Sequence, residues 1–353
     1  MCTIVPRLIL RRNVKKSGTC SCYFMHRRGY VDSKERDEKG PVKKNLSFRK
    51  YWMSRYMDYI KNYQTTLDKN FPTTMHVYRV FSIGSKDFYN ELKKYISVRK
   101  KHKAVGMKGL TREELQLWHT FPNDLVKISP LLIISAIPFT NYIIFPMAYL
   151  FPRALLTSHY WSIEQRFNFI LRHHKKRLRH NKPLLRCLQS QVETIADPSL
   201  KVKWRGAIAC LGSGTHPTTS QIISCIDLFS GPPYSLDSLT RKHTKELMAI
   251  HGMHRWTAYR RERLSERGML IKYMDDSIKR EGGVEKLPND AIRWALSFRG
   301  VNPVNMSRDN MQTWLENWLL ISSQVEPRSI SLLLHSPILL GYNYPTNWTL
   351  LYY

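Results

Sequence analysis

One stretch constrains this chain more than any other. Ile128–Pro152 reads ISPLLIISAIPFTNYIIFPMAYLFP, 25 residues without a charged side chain, set between Lys127 and Arg153. A helix rises about 1.5 Å per residue, so such a stretch reaches past a ~30 Å hydrocarbon core. It predicts a single membrane span at 128–152. The alternative is a buried hairpin of core helices, because Pro130, Pro138, Pro146 and Pro152 interrupt helical hydrogen bonding and Asn141 sits near the centre. Membrane helices accept such prolines where neighbours satisfy the freed carbonyls.

The rest of the chain is strongly basic. The net charge of +29 divides into +17 before the stretch (28 basic, 11 acidic) and +12 after it (28 basic, 16 acidic). A surface of this kind suits polyanions: nucleic acid, anionic lipid heads or an acidic protein. The apolar content is high enough for a packed core. The six cysteines (2, 20, 22, 187, 210 and 225) have no framework spacing. Removal of a leader containing the first three leaves an odd number, which points to a reducing compartment.

Residues 1–30 hold Arg7, Arg11, Arg12, Lys15, Lys16, Arg27 and Arg28, interleaved with apolar side chains, and no acid occurs before Asp32. That pattern predicts a mitochondrial transit peptide cut near Tyr30; the alternative is a basic tail. A charged linker follows at 31–44. Helical spacing then predicts helices at about 47–67 and 75–96, together a helical region over 31–127. Gly84 is expected to loosen the second. The run Arg99–Lys103 reads as a solvated face, or more sharply as a lipid-head contact. Thr111 and Glu114 have the spacing of a capping box, opening a helix that leads into the stretch and is kinked by Pro122. After the stretch, a helix at 161–178 precedes others at about 183–195, 199–211, 219–229, 237–251, 254–273, 276–281, 289–299 and 308–321. Asp275 and Asp276 read as the cap and first turn of the short helix at 276–281, and Ser307 as the cap of the last one. Trp314, Leu315, Trp318 and Leu319 form an apolar stripe read as core. The tail after Pro337 is aromatic and stays unassigned.

Two basic sets are candidates for binding. Arg172, Lys175, Lys176, Arg177, Arg179 and Lys182 form an acid-free run with three histidines, suited to lipid heads or ribosomal RNA. Arg260, Arg263 and Arg267 follow i, i+3, i+7 on one helical face, flanked by Arg255, Arg261 and Lys272; six such cations would make polyanion binding steeply salt-dependent. The competing reading is a solvated face balanced by Glu262 and Glu266. His173, His174 and His180 lie among cations, with no Cys or carboxylate to complete a metal site. No G-x-S-x-G, HExxH or phosphate loop occurs, and LGSGTH reads as a loop. Catalysis, metal and cofactor are therefore not expected.

Five segments carry a family resemblance: GLTREELQLW, IPFTNYIIFPMAYLFPRALL, SLDSLTRKHTKELMAI, YRRERLSERGMLIKYMDDSIKREGGVEKLPNDAIRWALSFRGV, and NMQTWLENWLLIS with SLLLHSPILL. In this order, over about residues 45–340, they resemble the LETM family of leucine-zipper and EF-hand-containing transmembrane proteins of the mitochondrial inner membrane. The resemblance implies an all-α fold: a single transmembrane helix and a helical, 14-3-3-like ribosome-binding domain at 153–341, followed by a tail at 342–353. It implies a single-pass inner-membrane protein with its C-terminal domain in the matrix; the residues alone leave the outer membrane open. It implies the mitochondrial ribosome and inner-membrane lipids as partners, with homo-oligomerisation a further expectation, and a role in membrane-protein biogenesis. It also implies cation/proton exchange of K⁺ or Ca²⁺ as the alternative. Exchange needs a titratable group within the membrane. Long members of the family have a glutamate where this chain has Asn141, and Tyr142 and Tyr149 titrate only near ~10. Exchange through this stretch is therefore the lesser expectation. The ligands of an EF-hand Ca²⁺ loop are missing around Asp275 and Asp276. Pro288 stands where the family has a hydroxyl cap, which is expected to shift to Asn289.

Overall fold

The computed structural model describes residues 72–135, 147–148, 150–255 and 257–352. The expected transit peptide and linker, the helix expected at 47–67, and Asn141 lie outside them. Every regular element among the described residues is helical, as expected. In chain order the helices are α1 (Pro72–Val105), α2 (Arg112–Ser135), α3 (Pro152–Leu155), α4 (Ile163–Leu178), α5 (Asn181–Ser190), α6 (Pro198–Gly212) and α7 (Thr219–Ile223). There follow α8 (Arg241–Ile250), α9 (Arg260–Arg280), α10 (Asn289–Arg299), α11 (Arg308–Gln324), α12 (Ile330–Gly341) and α13 (Pro345–Tyr352).

The helices from α5 to α12 enclose one core, and its centre is the pair α9 and α12. Every residue of α12 is buried, so a segment left largely unassigned in the sequence is the most enclosed element of the fold. Helices this apolar on all sides belong in the interior. α12 can press against α9 because Gly268 offers no side chain. A Cβ there would stand 2.6 Å from Ile330 Cγ1.

Trp314, Leu315, Trp318 and Leu319 of α11 are buried as expected, with the two indoles stacked 5.6 Å apart. Ser307 caps α11, its hydroxyl accepting from Asn310 N at 3.3 Å. The expected break at Asp275 does not occur. α9 runs unbroken to Arg280, and the Asp275 carboxylate lies fully buried within it. One oxygen pairs with Arg299 of α10; the other accepts from Trp318 Nε1 at 3.0 Å and Ser322 Oγ at 2.6 Å. A buried carboxylate persists only when paired and hydrogen-bonded in this way. The expected start is corrected too: the helix begins at Arg260, so Arg255 precedes it. At Pro288 the cap does not move to Asn289, which is already the first helical residue of α10.

The tail is part of the fold. Asn347 of α13 is buried, donating to Gly300 O (3.1 Å) and Gly341 O (2.8 Å) and accepting from Asn302 N (2.8 Å). Those carbonyls end α10 and α12, where the helix itself supplies no partners.

A second, smaller cluster forms a neck on this body: Phe88, Phe121, Ile128, Leu131, Ala148, Leu156 and Tyr160. The capping box at α2 forms as read, with Thr111 Oγ1 accepting from Glu114 N (3.3 Å) and Glu114 Oε2 accepting from Thr111 N (2.8 Å). Pro122 and Pro130 lie inside α2 without ending it. α1 runs through Gly84 to Val105 without a break. Gly84 lets α1 meet the turn Ser158–Tyr160, where a Cβ would stand 2.7 Å from His159 O. The neck joins the body at α9: Arg112 N donates to Glu281 Oε1 (2.7 Å) and Arg280 Nη2 to Leu110 O (2.8 Å).

The single span expected at 128–152 is not confirmed, and residues 136–146 and 149 lie outside the described residues. Among the described residues no helix is long and apolar enough to cross a membrane. Ile128 and Leu131 share one buried cluster with Ala148 and Leu156.

Candidate functional site

The basic run after the neck lies on α4 and the start of α5. α4 opens on a capping box between Ser162 and Gln165, with contacts of 3.2 and 3.1 Å. Arg172, Lys176, Arg179 and Lys182 are exposed, Lys175 is half-buried, and none of the five has an ion-pair partner among the described residues. Spacings of three and four bring Arg172, Lys176 and Arg179 onto one face. Their charge is available to a ligand.

Arg177 is not. The expectation that it touches lipid or RNA is overturned, because its side chain is buried. Nε donates to Ile250 O at 2.6 Å, Nη1 to Ser297 O at 2.8 Å and Nη2 to Phe298 O at 3.0 Å. These carbonyls end α8 and α10, where the negative helix ends favour a cation. Arg177 thus fastens two helix C-termini. Burial lowers its pKa to about 10, so it stays charged at pH 7.

The second set also divides. Arg260 is half-buried; Arg261 and Arg263 are exposed at the start of α9. Arg261 Nη2 donates to Leu239 O at 3.0 Å, which orients it. Arg267, expected on the same binding face, is structural. Nη2 donates to His251 O (3.1 Å), Nη1 lies 2.7 Å from His119 Nε2, and the guanidinium stacks 4.9 Å over Phe298. Burial, reinforced by the nearby Arg177 charge, lowers its pKa to about 9. The same guanidinium charge, with burial as the larger cause, lowers the His119 pKa to about 3. Lys272 is likewise engaged within the fold, its Nζ donating to Ser322 O at 2.5 Å and lying 3.6 Å from Asp276. Arg255 stands 3.7 Å from Glu246, whose other oxygen meets His180 Nδ1 at 2.7 Å. Glu246 therefore links the two basic sets, from the α4–α5 junction to the loop before α9.

Two residues escaped the sequence reading. Arg241 and Tyr259 line, with Thr244, Thr257, Ala258, Arg260, Arg261 and one carboxylate, Glu262, a cleft of about 250 Å³ at the start of α9. Thr240 caps α8 by accepting from His243 N at 3.3 Å, which puts Arg241 in the exposed first turn. That hydroxyl was the available signal. Tyr259 has none: it holds the left-handed conformation (φ 52°, ψ 47°), and the residue is 77 % exposed. L residues adopt that backbone rarely and at some cost. Tyr259 supplies no side-chain cap, so the first amides of α9 stay open beside three guanidinium groups. Phosphate oxygens suit the cations and amides, and an unstacked base suits the exposed ring.

The described residues include no group of three or more His, Cys, Asp or Glu placed to hold a metal. Cys187, Cys210 and Cys225 are free thiols.

No solved structure matches this chain. It is 30 % identical to the LETM1 domain-containing protein 1 of Xenopus tropicalis over 288 residues, which cover 80 % of this chain and 82 % of that one. It is also 30 % identical to the human LETM1 domain-containing protein 1 over 292 residues, 80 % and 79 % of the two chains. The family described as "LETM1-like, RBD" matches residues 110–339, which take in the second half of the neck and nearly the whole body. The chain belongs to the LETM1-like family.

Proposed function

We propose that the protein is anchored at the mitochondrial inner membrane through its apolar stretch and docks mitochondrial ribosomes, or factors bound to them, on its matrix side. It would thereby support synthesis and assembly of membrane proteins. One observation carries the reading: two solvent-facing cationic surfaces, on α4–α5 and around Tyr259, stand on a packed helical body that adjoins an apolar neck. The cleft at α9 supports RNA in particular, because it combines guanidinium groups, open amides and an exposed aromatic ring. The mitochondrial setting rests on the family membership and on the acid-free basic leader.

The test reverses charge only where it is free. Arg260→Glu, Arg261→Glu and Arg263→Glu together should release ribosomes that co-sediment with membranes containing the protein. About four phosphate contacts would also weaken binding by roughly a hundredfold over a fourfold rise in salt. Ribosome retention by the triple variant would overturn the reading. Arg177 and Arg267 are unsuitable for this test, since either change would damage the fold.

A further inference from the structure

The apolar face of α4 changes its surroundings along the helix. His174, Arg177 and Leu178, in the second half, are buried against the body. Ile163, Phe167 and Ile170 continue the same face into the first half, because residues three and four apart lie over one another. There the three are 89, 49 and 50 % exposed. The capping box of Ser162 and Gln165 already secures this end of the helix, so the exposed stripe serves no local need. Large apolar side chains grouped in this way at a surface mark a contact with something else.

Trp161 fixes where the stripe stands. Its Nε1–H donates to the carbonyl of Pro152, the last residue of the apolar stretch, at 3.0 Å. Its ring meets Phe169 of α4 edge-on, with centroids 4.8 Å apart. Arg166 Nη2 donates to Ser158 O, in the turn between them, at 2.8 Å. The first turns of α4 are therefore bound to the end of the stretch. Where the stretch is held in a bilayer, that end lies at the surface, and the exposed stripe lies there with it.

The surrounding charges identify what covers the stripe. Arg153 and Arg166 are exposed beside it, Trp161 lies between them, and Glu164 is the one acid of α4. Cations with Trp at the edge of an apolar surface match the headgroup level of an anionic bilayer. A helix of this pattern lies flat at the boundary of headgroups and acyl chains. A second copy of the chain fits less well. Three side chains supply far less than the about 1,200 Å² that a stable interface buries in total.

We infer that the first half of α4 lies in the plane of an anionic bilayer surface, with Ile163, Phe167 and Ile170 set among the lipid chains. This rests on the anchoring proposed above for the apolar stretch, and not on ribosome binding. It also assigns the two sides of α4 to two partners. Arg172, Lys176 and Arg179 lie about half a turn around the helix from the stripe, so they point away from the lipid.

Photo-cross-linking tests the assignment. The full chain is reconstituted into vesicles of phosphatidylcholine and phosphatidylglycerol, with a photo-reactive phenylalanine analogue at one position at a time. Irradiation should give phospholipid adducts at Ile163, Phe167 and Ile170, and none at Asn168 or Arg172. Absence of adducts at the stripe would overturn the inference, as would equal adducts at all five positions or a cross-linked dimer from Phe167. Yields at the stripe should fall in vesicles of phosphatidylcholine alone; equal yields would overturn the anionic surface. Flotation of the same samples separates the two readings. A chain that floats without adducts at the stripe refutes this inference and leaves the anchoring intact; a chain that does not float refutes both.

Discussion

The neck and the body are both helical, yet they treat apolar side chains in opposite ways. Between residues 171 and 341 only Val202, Tyr259 and Leu320 remain as exposed large hydrophobic groups among the described residues. Between 125 and 170 there are eleven, from Leu125 to Ile170. The body has satisfied its hydrophobic surface internally; the described residues of the neck leave theirs exposed. Polar groups show the same contrast. The body buries Asp275, Arg299, Arg177 and Asn347 in hydrogen-bonded networks, whereas the neck has aromatic contacts such as Phe88 on Phe121 at 5.2 Å.

The largest expected effect breaks the body alone. Asp275→Ala leaves Arg299 buried without its counter-ion, and loss of one partner of such a pair costs about 3–5 kcal/mol. Thermal unfolding should show the purified chain melting far lower. Asp275→Leu combined with Arg299→Met should recover much of that loss; an equal melting point for the single and double variants would mean that the pair is not what the site depends on.

Next is a comparison of two glycines that both serve close helix contacts. Gly268→Val forces α9 away from Ile330 and should cost about 1–3 kcal/mol of global stability. Gly84→Val presses instead on His159 and should loosen only the neck, seen as faster amide exchange at 158–160 with the main melting transition retained. Equal effects on the main transition would erase the distinction between the two regions.

Acid should separate them by sign. Burial holds His251 at about 3 and His335 at about 4, well below the ordinary value. Both are neutral in the fold and gain a proton on unfolding. Their contribution is therefore complete above about pH 6.5 and lost as pH falls toward 4. His159 in the neck is raised by its contact with Glu91, 3.3 Å away. Its contribution is complete below about pH 6.5 and disappears as pH rises through its elevated pKa. Urea unfolding between pH 5 and 8, followed at the main transition and by exchange at 158–160, should show the two slopes opposed.

The smallest effect on stability concerns the exposed stripe. Ile163→Ser with Phe167→Ser should change the melting point by less than about 0.5 kcal/mol equivalent, as surface changes do. The same pair should reduce binding to anionic vesicles in a flotation assay. Leu332→Ser, in the body, should do the reverse and prevent folding.

How far the sequence could be read depended on range. The capping boxes at Thr111 and Ser162, the cap at Ser307 and the stripe through Trp314 and Trp318 are local patterns, and residue spacing alone identifies Thr111, Ser307 and the stripe. The functional surfaces were half legible. Clusters of Arg and Lys identified the right elements, but one-dimensional spacing could not tell Arg263 from Arg267. They are four residues apart on one helix; the second meets His119 from α2 and the first meets water.

By itself the sequence determined an all-helical chain, its basic character, its uncharged stretch and its family, because each follows from composition or from periods of a few residues. The tertiary structure alone decided which cations are free, that Asp275 is a core ion pair rather than a cap, and that the end of the apolar stretch is held to the start of α4. Those outcomes depend on contacts between residues far apart in the chain. Trp161 against Lys127 and Pro152 is one, Arg177 against Ile250 and Ser297 another, and no local pattern encodes either.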